Sequence, residues 1–217
     1  YRDSKFELTN AFLLKGIKND FRKVKETADE VVFATNDQGL HIEKRFIFSN
    51  SSYSIDLDII ISNKSGSVQI LSGPLTLTQI RKNTPNARFM DLALSSRDKI
   101  THLSVNKEVT LNDLDFISLR DQYFAVIVQP VDGLSGFYNN KIDNVQNEVG
   151  IIFNPINVQF STTAKLGYKI YIGPQDVSIV QSSNAKWAGI INYGFFDFIS
   201  QILLQLLGFL YNIVHNW

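Results

Sequence analysis

The sequence predicts a mainly β protein, an antiparallel sandwich followed by an amphipathic C-terminal helix. Short apolar segments separated by turn residues recur through most of the chain, which is typical of packed antiparallel sheets. The twenty residues from Phe195 to Val214 contain no Lys, Arg or Pro, and they form a candidate helix about 30 Å long. We therefore predict a β-sandwich domain over residues 1–183 and a linker with its helix over residues 184–217.

The N-terminal part of the chain contains the clearest strand signals. From Tyr53 to Ile61 apolar residues alternate with polar ones, so one face of this strand is expected to be buried and the other hydrated. The sequence Asn36-Asp37-Gln38-Gly39 predicts a turn, because Asn, Asp and Gly tolerate left-handed backbone geometry. The strands expected here are residues 6–8, 11–17, 21–25, 30–35, 40–49 and 53–61.

The remaining strand signals extend to a Gly173-Pro174 stop. Residues 123–128 are apolar throughout, which predicts a central strand buried on both faces. Residues 164–172 alternate, with Leu166, Tyr168, Ile170 and Ile172 on the predicted buried face. Residues 81–87 and 130–140 are interpreted as loops because they contain Pro or Gly. The strands expected here are residues 74–80, 100–105, 114–119, 123–128, 145–153, 157–160 and 164–172.

Composition excludes several classes of function. Lys plus Arg equals Asp plus Glu at 21 each, so the chain lacks the basic excess that a nucleic-acid surface needs, and no nucleic-acid partner is expected. The chain has no cysteine, which excludes disulfides and thiolate chemistry. It begins at Tyr1 and shows no signal peptide, and we interpret it as a fragment of a longer protein.

No catalytic, cofactor or metal site is predicted. His41, His102 and His215 do not have metal-ligand spacing, and no glycine-rich phosphate loop occurs. Asp56 and Asp58 lie two residues apart, on one face of a strand. Paired carboxylates can act as acid and base, but a hydrated strand face explains this pair more simply.

The terminal segment predicts a helix with a narrow polar stripe. Five residues recur at spacings of four, four, three and four, which places them on one side of a helix. The rest of the surface is almost entirely apolar, and burying roughly ten large side chains would contribute about 15–30 kcal/mol before opposing terms. The stripe consists of Asp197, Gln201, Gln205, Gly208 and Asn212.

Three environments could bury this apolar surface. The helix could lie in the protein core, span a membrane, or lie in a membrane interface with its stripe toward water. A spanning helix would leave the stripe without partners in lipid, while an interfacial one would lack the usual Lys and Arg on its polar face. Tyr193, Tyr211 and Trp217 stand near the ends, where aromatic residues anchor a membrane boundary. The membrane-interface residues predicted on this basis are Phe195, Phe196, Phe198, Ile199, Ile202, Leu203, Leu206, Leu207, Phe209, Leu210 and Trp217.

Several motifs occur in an order and spacing that are typical of one known family. These stretches are Lys44-Arg45-Phe46-Ile47-Phe48, Tyr53-Ser54-Ile55-Asp56, Arg120-Asp121-Gln122-Tyr123-Phe124, Tyr168-Lys169-Ile170-Tyr171-Ile172-Gly173-Pro174, Tyr193-Gly194, Phe198-Ile199-Ser200-Gln201 and Asn216-Trp217. Together they resemble the periplasmic domain of the bacterial YidC-type (YidC/Oxa/Alb) membrane protein insertases. Gln122, Gln175, Asn192 and Phe195 depart from the family's usual residues, which are Lys, Lys, Asp and Trp.

This resemblance implies a galactose-mutarotase-like β-super-sandwich on the periplasmic side of the bacterial inner membrane. It also implies that the closing helix lies along the membrane and leads to a transmembrane segment absent from this sequence. The implied partners are the lipid surface, Sec translocon components and nascent membrane proteins, and no cofactor or enzymatic activity is implied. The alternative is a sugar-binding or mutarotase-like domain, for which only His41 and His102 could supply a base and only Trp187 lies outside the tail for sugar stacking.

Overall fold

The computed structural model describes residues 11–49, 52–81, 90–133, 135–191, 203, 205–209 and 211. Residues 11–191 of this set form antiparallel strands and two short helical segments, α1 (Val177–Ser183) and a 3-10 helix (Ala185–Ile190). The strands are β1 (Leu13–Leu14), β2 (Arg22–Glu26), β3 (Glu30–Asp37), β4 (Leu40–Phe48), β5 (Ser54–Asn63), β6 (Gln69–Arg81), β7 (Asp91–Ser96), β8 (Lys99–Ser104), β9 (Val109–Leu114), β10 (Phe116–Arg120), β11 (Phe124–Pro130), β12 (Ser135–Lys141), β13 (Gln146–Val158) and β14 (Thr163–Pro174).

Two sheets form a sandwich, which confirms the predicted mainly β fold. One sheet has the order β1-β6-β13-β12-β9, and the other has the order β2-β3-β4-β5-β14-β11-β10-β7-β8. Side chains of both sheets meet in one hydrophobic cluster, for example Leu75 and Phe137 from the smaller sheet with Ile59 and Val126 from the larger. The last strand, β14, lies in the middle of the larger sheet, between β5 and β11.

The strands with the strongest local patterns are confirmed. In β5, Leu57, Ile59 and Ile61 are buried in the core, whereas Asp56 is exposed on the other face. Asp58 pairs with Lys165 of the neighbouring strand at 2.9 Å, consistent with a hydrated face. In β11 the four consecutive residues 125–128 are all buried, because the two faces of this central strand contribute to different hydrophobic clusters.

The loop predicted over residues 130–140 is wrong, because most of it is strand β12. Phe137 and Tyr138 are buried in that strand. Gly136 fits there because a Cβ would lie only 3.1 Å from Ile152. Asn139 is tolerated at 0% exposure because its amide donates to the carbonyls of Val105 and Lys107, each at 2.9 Å. A buried amide with its hydrogen bonds satisfied does not break a strand.

Several strand boundaries also differ from the prediction. Residues 114–119 belong to two strands, β9 and β10, separated by Asp115. Residues 145–153 and 157–160 instead contribute to a single strand, β13, whose pairing with β6 shifts register between Phe153 and Ile156. Strands β7 and β9 were not predicted. Of the predicted strand over residues 11–17, only Leu13–Leu14 is strand. The predicted strand over residues 6–8 and most of the predicted loop over residues 81–87 lie outside the described residues.

The predicted alternation in β14 fails at its end. Tyr171 is fully buried and Ile172 is 37% exposed, although Ile172 was assigned to the buried face. Tyr171 is buried because α1 and the 3-10 helix cover the outer face of the larger sheet here. Its ring packs edge-to-face with Trp187, with the ring centroids 6.3 Å apart. A strand can therefore bury both faces where a second layer covers the sheet.

Lys44 of β4 is a buried cation within the sandwich. Its side chain is 6% exposed, and its Nζ lies 3.8 Å from the centroid of the Phe21 ring. Burial lowers the pKa of Lys44 to about 8, because desolvation disfavours the charged amine. Among the described residues, no carboxylate forms an ion pair with it.

This depressed pKa predicts a pH dependence of stability. Between pH 8 and the ordinary lysine pKa, the unfolded chain binds more protons at Lys44 than the folded chain. The free energy of unfolding should therefore rise with pH, by about 2 kcal/mol from pH 8 to 10. Urea unfolding of wild type and Lys44→Met across this range measures the effect, since the variant keeps the packing and lacks the proton. Parallel pH curves for the two proteins would contradict it.

Candidate functional site

The chain that follows β14 is docked onto the outer face of the larger sheet. It begins with α1, where Asp176 caps the helix by accepting hydrogen bonds from the backbone N–H groups of Ser178 and Ile179. The hydrogen bonds from Ser178 and from the backbone of Ile179 lower the pKa of Asp176. A capping carboxylate of this kind stabilises a helix start, so the sequence Asp176-Val177-Ser178 fixes where the chain turns back over the sheet.

Asn184 and Gln129 join the two short helical segments to the sheet. Asn184 ends α1 and caps the 3-10 helix, where its side-chain oxygen accepts from the Lys186 N–H. Its amide nitrogen donates to Oε1 of Gln129 in β11 at 3.1 Å. The Trp187 indole Nε1 donates to the same oxygen at 2.8 Å. One strand side chain thus holds both segments.

A second hydrophobic cluster lies beneath this docked segment. Trp187, at 1% exposure, is among its largest buried side chains, and the residues below it belong to the outer faces of four neighbouring strands. The cluster is separate from the main core between the sheets. Its buried members are Ala93, Phe116, Ala125, Ile127, Tyr171, Val180, Trp187 and Ile190.

An arginine network fastens the end of the docked segment. The Arg120 guanidinium makes two hydrogen bonds to Asp91, at 2.8 Å from Nε and 2.6 Å from Nη2. Its Nη1 donates to the backbone carbonyl of Ile190, and His102 Nδ1 lies 2.8 Å from the Asp91 carboxylate. Two-point pairing of this type is directional as well as charged, so Arg120 fixes where the chain leaves the sheet.

Few local features of the sequence predict this anchor. The Arg120–Phe124 stretch enters the sequence analysis only as a family motif, and Trp187 only as a candidate for sugar stacking. The Asp176 cap before an apolar turn was the one local signal that could have predicted α1. The docking itself depends on Gln129 and Asp91, which lie 58 and 29 residues away from their partners Trp187 and Arg120.

The predicted membrane-interface residues are only partly within the described chain. Residues 203, 205–209 and 211 are helical, and the large apolar side chains of Leu203, Leu206, Leu207 and Phe209 are 46–61% exposed. Gln205 of the polar stripe is also exposed. Phe195, Phe196, Phe198, Ile199, Ile202, Leu210 and Trp217 lie outside the described residues.

None of the helices in the described part of the chain combines the length and apolar character that crossing a bilayer requires. The same residues contain no cluster of three or more His, Asp or Glu side chains able to hold a metal ion.

The two histidines considered for a mutarotase-like site do not share a cleft. His41 lies on β4 and His102 on β8, six positions apart in the larger sheet, which corresponds to about 29 Å at the usual strand spacing. Each histidine has other partners. His41 contacts Asn36 and Glu43, and His102 contacts Asp91. An open polar cavity of about 420 Å³ beside the 3-10 helix includes Asp98, Asp115 and Lys186, but neither histidine lines it.

Solved structures with this fold include sugar-processing enzymes at low sequence identity. A galactose mutarotase-like protein from Lactobacillus casei superposes with a TM-score of 0.51 at 7% identity, covering 70% of this chain and 73% of that one. The alpha-galactosidase AgaB from Geobacillus stearothermophilus gives 0.55 at 12% identity, covering 72% of this chain and 25% of that one. These likenesses establish a galactose-mutarotase-like sandwich and concern the fold alone.

Sequence relatives point to one family. The membrane protein insertase YidC of Legionella pneumophila strain Paris is 23% identical over 220 residues, covering 92% of this chain and 39% of that protein. The same protein of Magnetococcus marinus is 25% identical over 201 residues, covering 84% of this chain and 35% of that protein. The chain therefore spans under two-fifths of the length of these relatives. The model of the YidC periplasmic domain matches residues 13–206, and this chain belongs to the YidC periplasmic domain family.

Proposed function

We propose that this chain is the non-enzymatic periplasmic domain of a bacterial membrane protein insertase, held on the inner membrane by its C-terminal helix. The supporting observation is the half-exposed apolar side chains of helical residues 203, 206, 207 and 209, which follow a segment fastened to the sandwich by Trp187 and Arg120. The sandwich and its docked segment form the body, and residues 195–217 form the membrane contact.

The helix supports this proposal because its described apolar side chains lack cover from the sandwich. Leu203 and Leu207 stand opposite Gln205 on a helix, since two residues correspond to about 200°. A helix with its apolar side in the headgroup boundary and its polar stripe toward water satisfies both sets of side chains. A core position would instead require Leu203 and Leu207 to be enclosed, whereas they are 52% and 46% exposed.

The role we propose for the domain is to orient the insertase at the membrane surface and to contact its partners. These partners are nascent membrane proteins and components of the Sec translocon, on the periplasmic side of the inner membrane. The family membership and the insertase names of the relatives support this assignment. The separation of His41 from His102 speaks against a mutarotase-like reaction on the same fold.

Single substitutions in the helix test the membrane contact. Leu203→Asp or Leu207→Asp should weaken flotation with lipid vesicles by about tenfold or more, because each removes roughly 1.5–3 kcal/mol of apolar burial and adds a charge. Gln205→Ala is the matched control on the polar stripe and should float like wild type. Equal flotation of the three variants would contradict a one-sided helix.

Deletion of residues 195–217 separates a membrane helix from a structural one. The shortened chain should retain the melting temperature of the sandwich and lose vesicle binding. A large fall in melting temperature would assign the helix to the fold instead.

A further inference from the structure

Four neighbouring strands of the larger sheet end in exposed apolar side chains. We name Phe48, Tyr53, Tyr123 and Ile172 the apolar rim. They lie at the end of β4, before β5, before β11 and near the end of β14, in the sheet order β4-β5-β14-β11. They are 37–59% exposed. The rim residues thus share one end of four neighbouring strands.

Backbone hydrogen bonds fix the row. The Ile172 N–H donates to the Tyr53 carbonyl at 3.0 Å, and the Gln175 N–H donates to the Tyr123 carbonyl at 2.7 Å. The Phe48 N–H donates to the Asp29 carbonyl at 2.8 Å. Tyr53 also packs against Tyr171, with ring centroids 6.1 Å apart. The backbone that carries these side chains is therefore held by hydrogen bonds to neighbouring segments.

The described part of the docked segment ends at this same end of the larger sheet. Arg120 is the last residue of β10 and stands beside the start of β11, where it pairs with Ala125. Its guanidinium binds the Ile190 carbonyl, and Tyr123 lies in the turn between these two strands. The same guanidinium contacts Gln175 Oε1 at 3.3 Å, and the Gln175 N–H donates to the Tyr123 carbonyl. The Ile190 carbonyl is therefore held at the end of the sheet that carries the apolar rim.

The connection between Ile191 and the proposed membrane helix is short. Placing that helix in the membrane rests on the proposed function. With the helix beginning at Phe195, four backbone steps separate it from Ile191, and they span at most about 14 Å. An interfacial helix lies about 5–10 Å deep in the headgroup boundary. The end of the sheet that carries the rim is then tethered within this reach of the lipid surface whenever the helix is bound.

The chemistry of the rim fits the headgroup layer of a zwitterionic membrane. Phe and Tyr favour this layer, where the ring is apolar and the hydroxyl reaches water. The charged groups at this end include Asp29 and Asp121, and the Asp121 carboxylate caps the backbone N–H groups of Tyr123 and Phe124. Arg120 at this end is already paired with Asp91, so the proposed contact rests on apolar burial.

We propose that the apolar rim is a second lipid contact, which enters the headgroup layer beside the C-terminal helix and fixes the tilt of the sandwich on the membrane. With the helix alone, the body could rotate about its short connection. With two contacts on one end of the larger sheet, the sandwich stands with its opposite end away from the bilayer.

Spin labelling tests this orientation, and the absence of cysteine from the chain makes every introduced thiol unique. Nitroxides are placed in the full chain at Tyr123→Cys in the rim, at Leu207→Cys in the helix and at Val68→Cys. Val68 is 50% exposed in the loop after β5, at the other end of the strand from Tyr53. The probe membrane is a phosphatidylcholine vesicle without anionic lipid.

On vesicle binding, the labels at 123 and 207 should lose most of their collisions with a water-soluble nickel chelate, and the label at 68 should keep them. A label at 123 that stays in water while the label at 207 inserts would overturn the rim contact and leave the proposed function standing. Failure of both to insert would overturn both proposals. Protection of the label at 68 would overturn the upright orientation. Melting curves matched to wild type verify that each labelled chain is folded.

Discussion

Trp187→Ala is expected to lower the free energy of unfolding by about 3–5 kcal/mol, the usual cost of removing a large aromatic side chain from a core. The indole is 1% exposed and fills the space between the 3-10 helix and the outer face of the larger sheet. Its loss leaves a cavity against Tyr171 and removes the hydrogen bond to Gln129. Urea unfolding monitored by circular dichroism measures the change.

Trp187→Phe is the matched control. It keeps an aromatic ring in the cluster but removes the indole donor, while Asn184 continues to donate to Gln129. The expected loss from the missing hydrogen bond is therefore about 1 kcal/mol, plus a smaller packing term. If Trp187→Ala remained within about 1 kcal/mol of wild type, the docked segment would not be held by this side chain.

Arg120→Met should destabilise the protein by about 3 kcal/mol. Removing one partner of a buried ion pair leaves the other charge uncompensated, which typically costs about 3–5 kcal/mol. The lower end of this range applies because the Asp91 side chain is 27% exposed, while that of Arg120 is 10% exposed, and water can partly solvate the remaining carboxylate. The Ile190 carbonyl also loses its donor.

A double variant separates the charge from the hydrogen bond to the docked segment. Adding Asp91→Leu to Arg120→Met removes the uncompensated carboxylate, and part of the lost stability should return. Full recovery would show that the bond from Arg120 to the Ile190 carbonyl contributes nothing. No recovery would show that the Asp91 charge was already solvated. The urea midpoints of the single and double variants measure how much stability is recovered.

Local patterns predicted the fold where each strand carries its own signal. The alternation of β5 and the apolar run of β11 are properties of a few adjacent residues, and both were predicted correctly. Strand β12 was missed because Gly136 and the neighbouring asparagines are typical of loops. Asn139 belongs in the strand only because the carbonyls of Val105 and Lys107 accept its hydrogen bonds.

The candidate site shows the same division between local and distant information. The polar stripe of the C-terminal helix is a prediction from spacing alone, and of its residues only Gln205 and Gly208 lie within the described part of the chain. The burial of Tyr171 and the role of Arg120 could not be predicted, because both depend on residues 176–191 returning over a sheet that the chain has already built. Asp91 and Gln129, which hold that return, carry no signal of their own.

The central place of β14 has a consequence for the order of events during biosynthesis. A chain that emerges N-terminus first presents β2 to β5 and β7 to β11 before Thr163, the first residue of β14, is available. Until then β5 and β11 each expose an unpaired edge, and such edges invite pairing with other chains. Closure of the larger sheet therefore waits until roughly three-quarters of the sequence has appeared, so holdase protection should matter most during that interval.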